Sequence, residues 1–149
     1  GAKSILDLGL TLEYLETNGV PVLGYKTKEL PAFYTRKSGF ELDYAVDSPE
    51  EFAKILKTKW DLGLKGGVVI ANPIPEEFSM DHNIISEAIE KAVEEAEKLG
   101  IKGKNATPFL LDKIQKITGG NSLKSNIELV FNNVRLATEI AKNYAELNK

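Results

Sequence analysis

The sequence has no cysteine among its 149 residues and a single histidine, His82. The first absence excludes disulfide bonds and thiol chemistry, and it is typical of a reducing cytoplasm, where we expect this protein to reside. A single histidine cannot form a histidine cluster for a metal ion. His82 falls in the first turn of a predicted acidic helix, and we expect its side chain at the surface.

Long apolar runs and a strong excess of one charge are also missing. No run approaches the ~20 apolar residues that span a bilayer, and no signal-peptide pattern is present, so we predict no membrane segment. The net charge of -3 argues against a nucleic-acid partner, because such surfaces usually carry a basic excess. A small anionic substrate needs only a local group of positive charges, and it remains compatible with this composition.

The composition that is present is typical of a globular domain. Hydrophobic residues make up 42% and charged residues 28% of the chain, and 149 residues can bury a core. No repeat, low-complexity tract or linker divides the sequence, which predicts a single domain over 1–149. The chain enters an ordered pattern within five residues of Gly1, and we therefore expect a piece of a longer protein.

Alternating strands and helices are predicted from the hydrophobic pattern. Strands are expected within 20–25, 42–46 and 66–72, and the continuous apolar run of the last is typical of a central parallel strand covered on both faces. Leu42, Tyr44 and Val46 should share one buried face. Helices are predicted to begin near Ser4, Ser48, Asp81, Thr107 and Ser122. This alternation indicates an α/β layer, and so few strands indicate that further strands come from elsewhere.

Lys3 is the strongest candidate for a catalytic group. Ser4 with Asp7 resembles a capping box ahead of an apolar stripe, which would put Lys3 just outside the positive end of a helix. A positive field favours the neutral amine, the form that attacks a carbonyl to make a Schiff base. The same helix end could help to hold an anion. Most lysines at such positions are merely solvated, so both interpretations stay open.

Three polar positions are candidates for binding. Asn72 follows the apolar strand at its carboxyl end, where α/β sheets collect ligand groups, although Asn-Pro can also simply turn the chain. The loop 119–122 could form a phosphate nest or only a loop with an N-cap. Asn126 falls beside the apolar stripe of the last helix, where a buried amide needs partners. A two-carboxylate glycosidase mechanism is not supported, because no defined partner exists for Glu13, Glu16, Glu76 and Glu77.

Short motifs are spread in order along essentially the whole chain, at 1–7, 11–17, 31–34, 59–60, 66–67, 71–76, 107–111, 118–120 and 122–127. Together they resemble the pseudouridine-5'-phosphate glycosidase family, also called the pseudouridylate synthase or indigoidine-synthase-A-like family. The likeness implies that Lys3 is the family's Schiff-base lysine and that Asn126 contacts uracil. In the implied reaction the ribose opens, the lysine binds C1 as an imine, and reversible C–C cleavage gives uracil and ribose 5-phosphate.

The resemblance also has implications for architecture and partners. It implies a three-layer α/β/α fold around a mixed sheet, of which this chain, as the carboxyl-terminal half, supplies only part. It implies a homotrimer and a Mn²⁺ cofactor. The family's general-acid glutamate and manganese-associated aspartate precede the lysine, so we expect no metal ligand in this chain. The upstream half is then a required partner, and the chain alone is expected to be inactive.

Two other functions stay open from the sequence. One is a different Schiff-base lyase acting on a sugar phosphate, and the other is a non-catalytic α/β module that builds an oligomer. Product identification separates the first from the family reaction, and borohydride trapping separates the second, because a scaffold takes up no label.

Overall fold

A computed structural model describes residues 3–149 of the chain and contains a small sheet of short strands. The strands are β1 (Val22–Tyr25), β2 (Tyr44–Val46) and β3 (Val69–Ala71). Their order is β2-β1-β3, and both pairs are parallel. Among the strands of the described residues β1 is central and β3 is outermost, and a central place for β3 in a completed sheet stays a prediction. An apolar run in the sequence indicates that the side chains of a strand are buried, but it does not indicate which strands pair with that strand.

Residues 3–149 also form five α-helices, in the chain order that the sequence predicts. They are α1 (Leu8–Thr17), α2 (Pro49–Asp61), α3 (His82–Lys98), α4 (Ala106–Ile117) and α5 (Asn121–Glu146). The predicted caps of α2 and α3 are confirmed. The Ser48 side chain accepts a hydrogen bond from the Glu51 amide at 3.2 Å, and the Asp81 carboxylate accepts two amides of its own first turn. Within residues 3–149, no helix is both long and apolar enough to cross a membrane.

The two faces of the sheet are covered by different elements. On one face, α2 and α5 pack against the sheet through a cluster of buried residues, namely Leu23, Val46, Phe52, Leu136 and Ile140. On the other face, α1 and the segment 30–42 pack through Leu8, Leu30, Ala32, Leu42 and Ala71. The predicted α/β class with layers on both sides of a sheet is confirmed. The three strands of the described part pair only in parallel, and the mixed sheet that the resemblance implies stays a prediction.

The start of α1 differs from the prediction. Asp7, and not Ser4, caps this helix: its Oδ1 accepts the Leu10 amide at 2.9 Å, and the helix begins at Leu8. Ile5 packs into the cluster around α3 and α4, whereas Leu8 packs against the sheet. A continuous helix from Ser4 could not place Ile5 and Leu8 in these two different clusters, so the chain turns between them. The capping box predicted for Ser4 was therefore wrong.

Tyr44 is also placed differently from the prediction. The three residues do not share one buried face: Leu42 and Val46 are buried in the clusters on opposite faces of the sheet, and Tyr44 is 66% exposed. It opens a strand of three residues at an edge of the sheet, where no described element covers its ring. Strict alternation fails here because Leu42 lies before the strand and not in it.

Candidate functional site

A cavity of about 390 Å³ lies beside β3, between that strand, α4, α5 and the segment 30–33. It brings together Lys3, Asn72 and Asn126, which are widely separated along the chain. Its walls are otherwise mainly apolar, and the remaining lining residues are Leu30, Pro31, Phe33, Val69, Ile70, Ala71, Leu111, Leu129, Val130 and Asn133. One amine and several amides in an apolar wall are typical of a small-molecule site.

Lys3 is partly buried and is held by a turn rather than by a helix end. Its carbonyl oxygen accepts the Leu6 amide at 2.9 Å, and the neighbouring Ile5 is 7% exposed in the core. The first turn of α1 starts only after Asp7. The argument that a helix dipole favours the neutral amine therefore does not apply to this lysine. The turn instead fixes the backbone of Lys3, and its side chain shares the cavity wall with apolar side chains.

Ser4, next to this lysine, carries a buried hydroxyl that finds no hydrogen-bond partner in the described part of the chain. A buried polar group without a partner costs roughly 1–3 kcal/mol. The hydroxyl is therefore not the helix cap that the sequence suggested. Its burial follows from Ile5, which pulls this turn into the core.

Asn126 lies in the second turn of α5 and is partly buried at the cavity wall. Ser125, Asn132 and Asn133 of α5 take part in side-chain hydrogen bonds to other parts of residues 3–149, whereas the Asn126 side chain makes none there. Its amide thus keeps a donor and an acceptor for another molecule. Lys3 and Asn126 share one cavity, which is the geometry that a common substrate requires.

The loop that follows β3 is fixed by bonds from distant parts of the chain. The Asn72 Nδ2 donates to Asn133 Oδ1 at 3.0 Å, and the Asn132 Nδ2 donates to the Pro73 carbonyl at 3.0 Å. The Arg36 Nη1 donates to the Ile74 carbonyl at 2.6 Å. Asn72 therefore both turns the chain and presents an amide to the cavity. Asn133 was missed from the sequence, although it lies seven residues after Asn126 on one helix face.

The loop 119–122 does not line this cavity. Gly120, with a φ of 91°, precedes α5, and its carbonyl oxygen accepts the amides of Leu123 and Lys124. The Ser122 amide donates to Thr118 Oγ1 at 3.2 Å. These amides already donate hydrogen bonds within the chain. The segment is therefore better described as a loop that leads into a helix than as a phosphate nest.

The Ser122 side chain is directed into the core, where it meets Tyr34. The residue is 1% exposed, and Tyr34 is 2% exposed. Burial raises the pKa of the Tyr34 phenol to about 12, and a hydrogen bond with Ser122 opposes this rise. The phenol therefore remains neutral at ordinary pH and acts as a structural anchor.

The acidic side chains and the histidine lie away from this cavity. His82 is exposed, as predicted. Glu13 and Glu16 line a larger open groove of about 950 Å³ between α1 and α2, which does not include Lys3. Over residues 3–149, no three His, Asp or Glu side chains come together as a metal site would require. The chain therefore offers no Mn²⁺ ligand set among its described residues.

Comparison with known sequences gives consistent matches. The profile of the family described as indigoidine synthase A like protein matches residues 1–143. A Clostridium botulinum protein named pseudouridine-5'-phosphate glycosidase is 64% identical over 149 residues, which are 100% of this chain and 48% of that protein. An Escherichia coli protein of the same name is 59% identical over 147 residues, 99% of this chain and 47% of its own length. The chain thus spans about half the length of the curated relatives it matches.

Solved structures share the fold. The crystal structure of the prealnumycin C-glycosynthase AlnA in complex with ribulose 5-phosphate superposes with a TM-score of 0.88 at 34% identity, over 99% of this chain and 49% of that one. An indigoidine synthase A-like protein from Thermotoga maritima superposes with a TM-score of 0.84 at 40% identity, over 93% of this chain and 46% of that one.

Proposed function

The chain belongs to the indigoidine synthase A-like family, and from this membership we propose that it forms the Lys3-bearing half of a pseudouridine-5'-phosphate glycosidase. The observation that carries the proposal is the cavity shared by Lys3 and Asn126, since an amine and an uncommitted amide suit the two parts of that substrate. The names of the relatives supply the substrate class. The crystal structure of AlnA contains ribulose 5-phosphate, a sugar phosphate, which supports a site of that kind.

Lys3 is proposed as the nucleophile. Cleavage of the C1–O4 bond, with a proton taken up by the ring oxygen, opens the ribose and leaves C1 electrophilic. The unprotonated Nζ of Lys3 then bonds to this carbon and gives up a proton. The C–C bond to the base then breaks, its electron pair stays on the base carbon, which takes up a proton, and a C1=N imine remains on Lys3. Water hydrolyses the imine, returns the amine and releases ribose 5-phosphate. Covalent attachment divides one difficult cleavage into two easier steps.

Asn126 is proposed to hold the uracil ring. The edge of uracil alternates carbonyl acceptors and N–H donors, and an amide side chain offers one acceptor and two donor hydrogens in the same plane. A neutral amide can read this edge without the desolvation cost of burying a charge. The apolar wall around it excludes water and strengthens these bonds.

The remaining parts of the proposal lie outside the residues described here. We propose that the general acid and any Mn²⁺ ligands come from the half that the relatives carry in addition, because this chain offers no metal ligand set of its own over residues 3–149. When bound, Mn²⁺ would supply positive charge near the phosphorylated substrate. A homotrimer is proposed from the family resemblance, and light scattering of the complete enzyme would test it through a mass three times that of one polypeptide.

The test uses a polypeptide in which this chain replaces the matching half of the Clostridium botulinum relative, hereafter the joined enzyme. It is incubated with ribose 5-phosphate and borohydride, which reduces an imine to a stable amine, and the adduct is mapped by mass spectrometry. We expect the adduct on Lys3 and its loss in Lys3→Arg, since a guanidinium keeps the charge but does not deprotonate. The control is Lys124→Arg, which removes a lysine of α5 whose Nζ lies 5.7 Å from the Phe78 ring centre.

The outcomes separate the alternatives. Release of uracil from pseudouridine 5'-phosphate together with an adduct on Lys3 supports the proposal. An adduct without uracil release indicates another Schiff-base lyase. A joined enzyme that takes up no label indicates a non-catalytic module, and an adduct on another lysine shows that the assignment of Lys3 is wrong.

A further inference from the structure

Phe33 has a backbone conformation that aromatic residues rarely adopt. Its φ is 63°, in the left-handed region that favours glycine. The Tyr34 amide donates to the Ala32 carbonyl at 2.7 Å, which closes a three-residue γ-turn with Phe33 at its centre. The form of this turn with positive φ is rare and strained. A bulky side chain at such a position raises the question of what the ring does there.

The surroundings hold this strain in place. A bridge joins Ala32 and Thr35, with the Ala32 amide donating to the Thr35 carbonyl at 3.0 Å. Tyr34 is 2% exposed, and its carbonyl accepts the Met80 amide at 2.9 Å. The residue on each side of Phe33 is therefore anchored, and the turn cannot relax by local movement. Strained residues that are held in place in this way are found most often at ligand-binding sites.

The ring of Phe33 is placed between the core and the cavity. Its centroid lies 4.6 Å from that of Tyr34 at an interplanar angle of 78°, an edge-to-face contact that fixes its orientation. Phe33 also lines the cavity that contains Lys3 and Asn126, and it is the one aromatic residue among the described lining residues. The other apolar walls come from aliphatic side chains and proline.

We propose that Phe33 is the stacking platform for the pyrimidine ring of the substrate, a role that rests on the function proposed above. Asn126 can read the edge of a planar base but leaves its two faces without a partner. An aromatic ring covers one face, and base–aromatic stacking is a substantial part of the affinity in proteins that bind unpaired bases. The strained turn is then the means by which the segment 31–34 brings a ring to the base.

The proposal is tested in the joined enzyme with Phe33→Leu, Phe33→Tyr and the control Phe109→Leu. Leucine keeps an apolar side chain of similar bulk in the same backbone but has no π face, whereas tyrosine restores one. Phe109 packs against the same core cluster as Phe33 but does not line the cavity, so its replacement reports the cost of losing a core ring. Uracil binding is measured by calorimetry, and ribose 5-phosphate binding by the concentration that half-saturates borohydride trapping.

We expect Phe33→Leu to weaken uracil binding by about five- to a hundred-fold and to leave ribose 5-phosphate trapping unchanged. Phe33→Tyr should retain uracil binding, and Phe109→Leu should alter neither ligand. Unchanged uracil binding in Phe33→Leu, or an equal loss for both ligands, would overturn the stacking role while leaving the proposed function intact. If the unsubstituted joined enzyme binds no uracil, both proposals fail.

Discussion

At the scale of single residues, the cavity is built from neutral amides and one amine rather than from paired charges. Asn72 uses one donor hydrogen on Asn133, and Asn126 makes no described bond, so the two amides differ in what they can still offer. The hydrogen bond to Asn133 holds the Asn72 side chain in one orientation as part of the cavity wall. The Asn126 side chain can instead adjust its orientation to a ligand. This difference makes Asn126 the better candidate for recognition of a base edge.

Replacement of Asn126 by alanine in the joined enzyme should weaken uracil binding by about 1–3 kcal/mol, because polar groups of the base are left without partners in an apolar wall. The kcat/KM for pseudouridine 5'-phosphate and the inhibition constant of uracil measure this effect. The matched control is Asn143→Ala, on the same helix, whose Nδ2 donates to the Glu139 carbonyl and which does not line the cavity. Equal behaviour of the two variants would refute the role of Asn126.

At the scale of elements, the turn ahead of α1 decides where Lys3 lies. Ile5 and Leu8 pack into different clusters, and the chain between them forms a turn that ends at the cap, Asp7. The side chain of Asp7 satisfies an amide of the first helical turn that would otherwise lack a partner. The position of Lys3 thus depends on two anchors, one on each side of this turn.

The cap can be tested by comparing two alanine variants of the joined enzyme. Asp7→Ala should lower the free energy of unfolding by about 1 kcal/mol, since the Leu10 amide loses its acceptor, and Asp7→Ser should keep most of the stability. Ser4→Ala should cost less than Asp7→Ala, because its hydroxyl has no partner within residues 3–149. Urea unfolding measures all three. A larger loss of unfolding free energy for Ser4→Ala than for Asp7→Ala would indicate that Ser4, and not Asp7, caps the helix.

At the scale of the whole molecule, the described part leaves two strand edges and an apolar helix face without cover. β2 and β3 are the outer strands of the sheet. The exposed stripe on α5 comprises Leu123, Ile127, Val130, Phe131 and Val134, each of which is at least 42% exposed. Unpaired edges and apolar patches of this kind usually meet another chain or another segment. The curated relatives have about as much chain again outside the part that this chain matches, which could supply such a segment.

Hydrogen exchange of β3 should report whether that segment completes the sheet. We expect the peptide 68–72 to exchange more slowly in the joined enzyme than in the isolated chain, because a new neighbour would take up the free amides of the strand. The peptide 22–25 is the internal control, since β1 already has a partner on both sides. Exchange of β3 at the same rate in both proteins would show that the sheet does not need further strands.

The sequence by itself determined what depends on neighbouring residues. The starts of α2 and α3 could be predicted because Ser48 and Asp81 bond to amides only two or three residues away. The α/β class followed from the spacing of apolar residues, which is a local property of strands and helices. The candidate roles of Lys3 and Asn126 came from a resemblance between motifs, and they remain proposals about chemistry.

Only the tertiary structure decided what depends on contacts between distant residues. The order of the strands, the cap at Asp7 and the cavity that joins Lys3 to Asn126 each require knowledge of which core a side chain enters. The strained turn at Phe33 is the clearest case, because nothing in a short window predicts that an aromatic residue adopts a positive φ. Anchors on Tyr34 and Met80 impose that conformation, and these contacts exist only once the chain has folded.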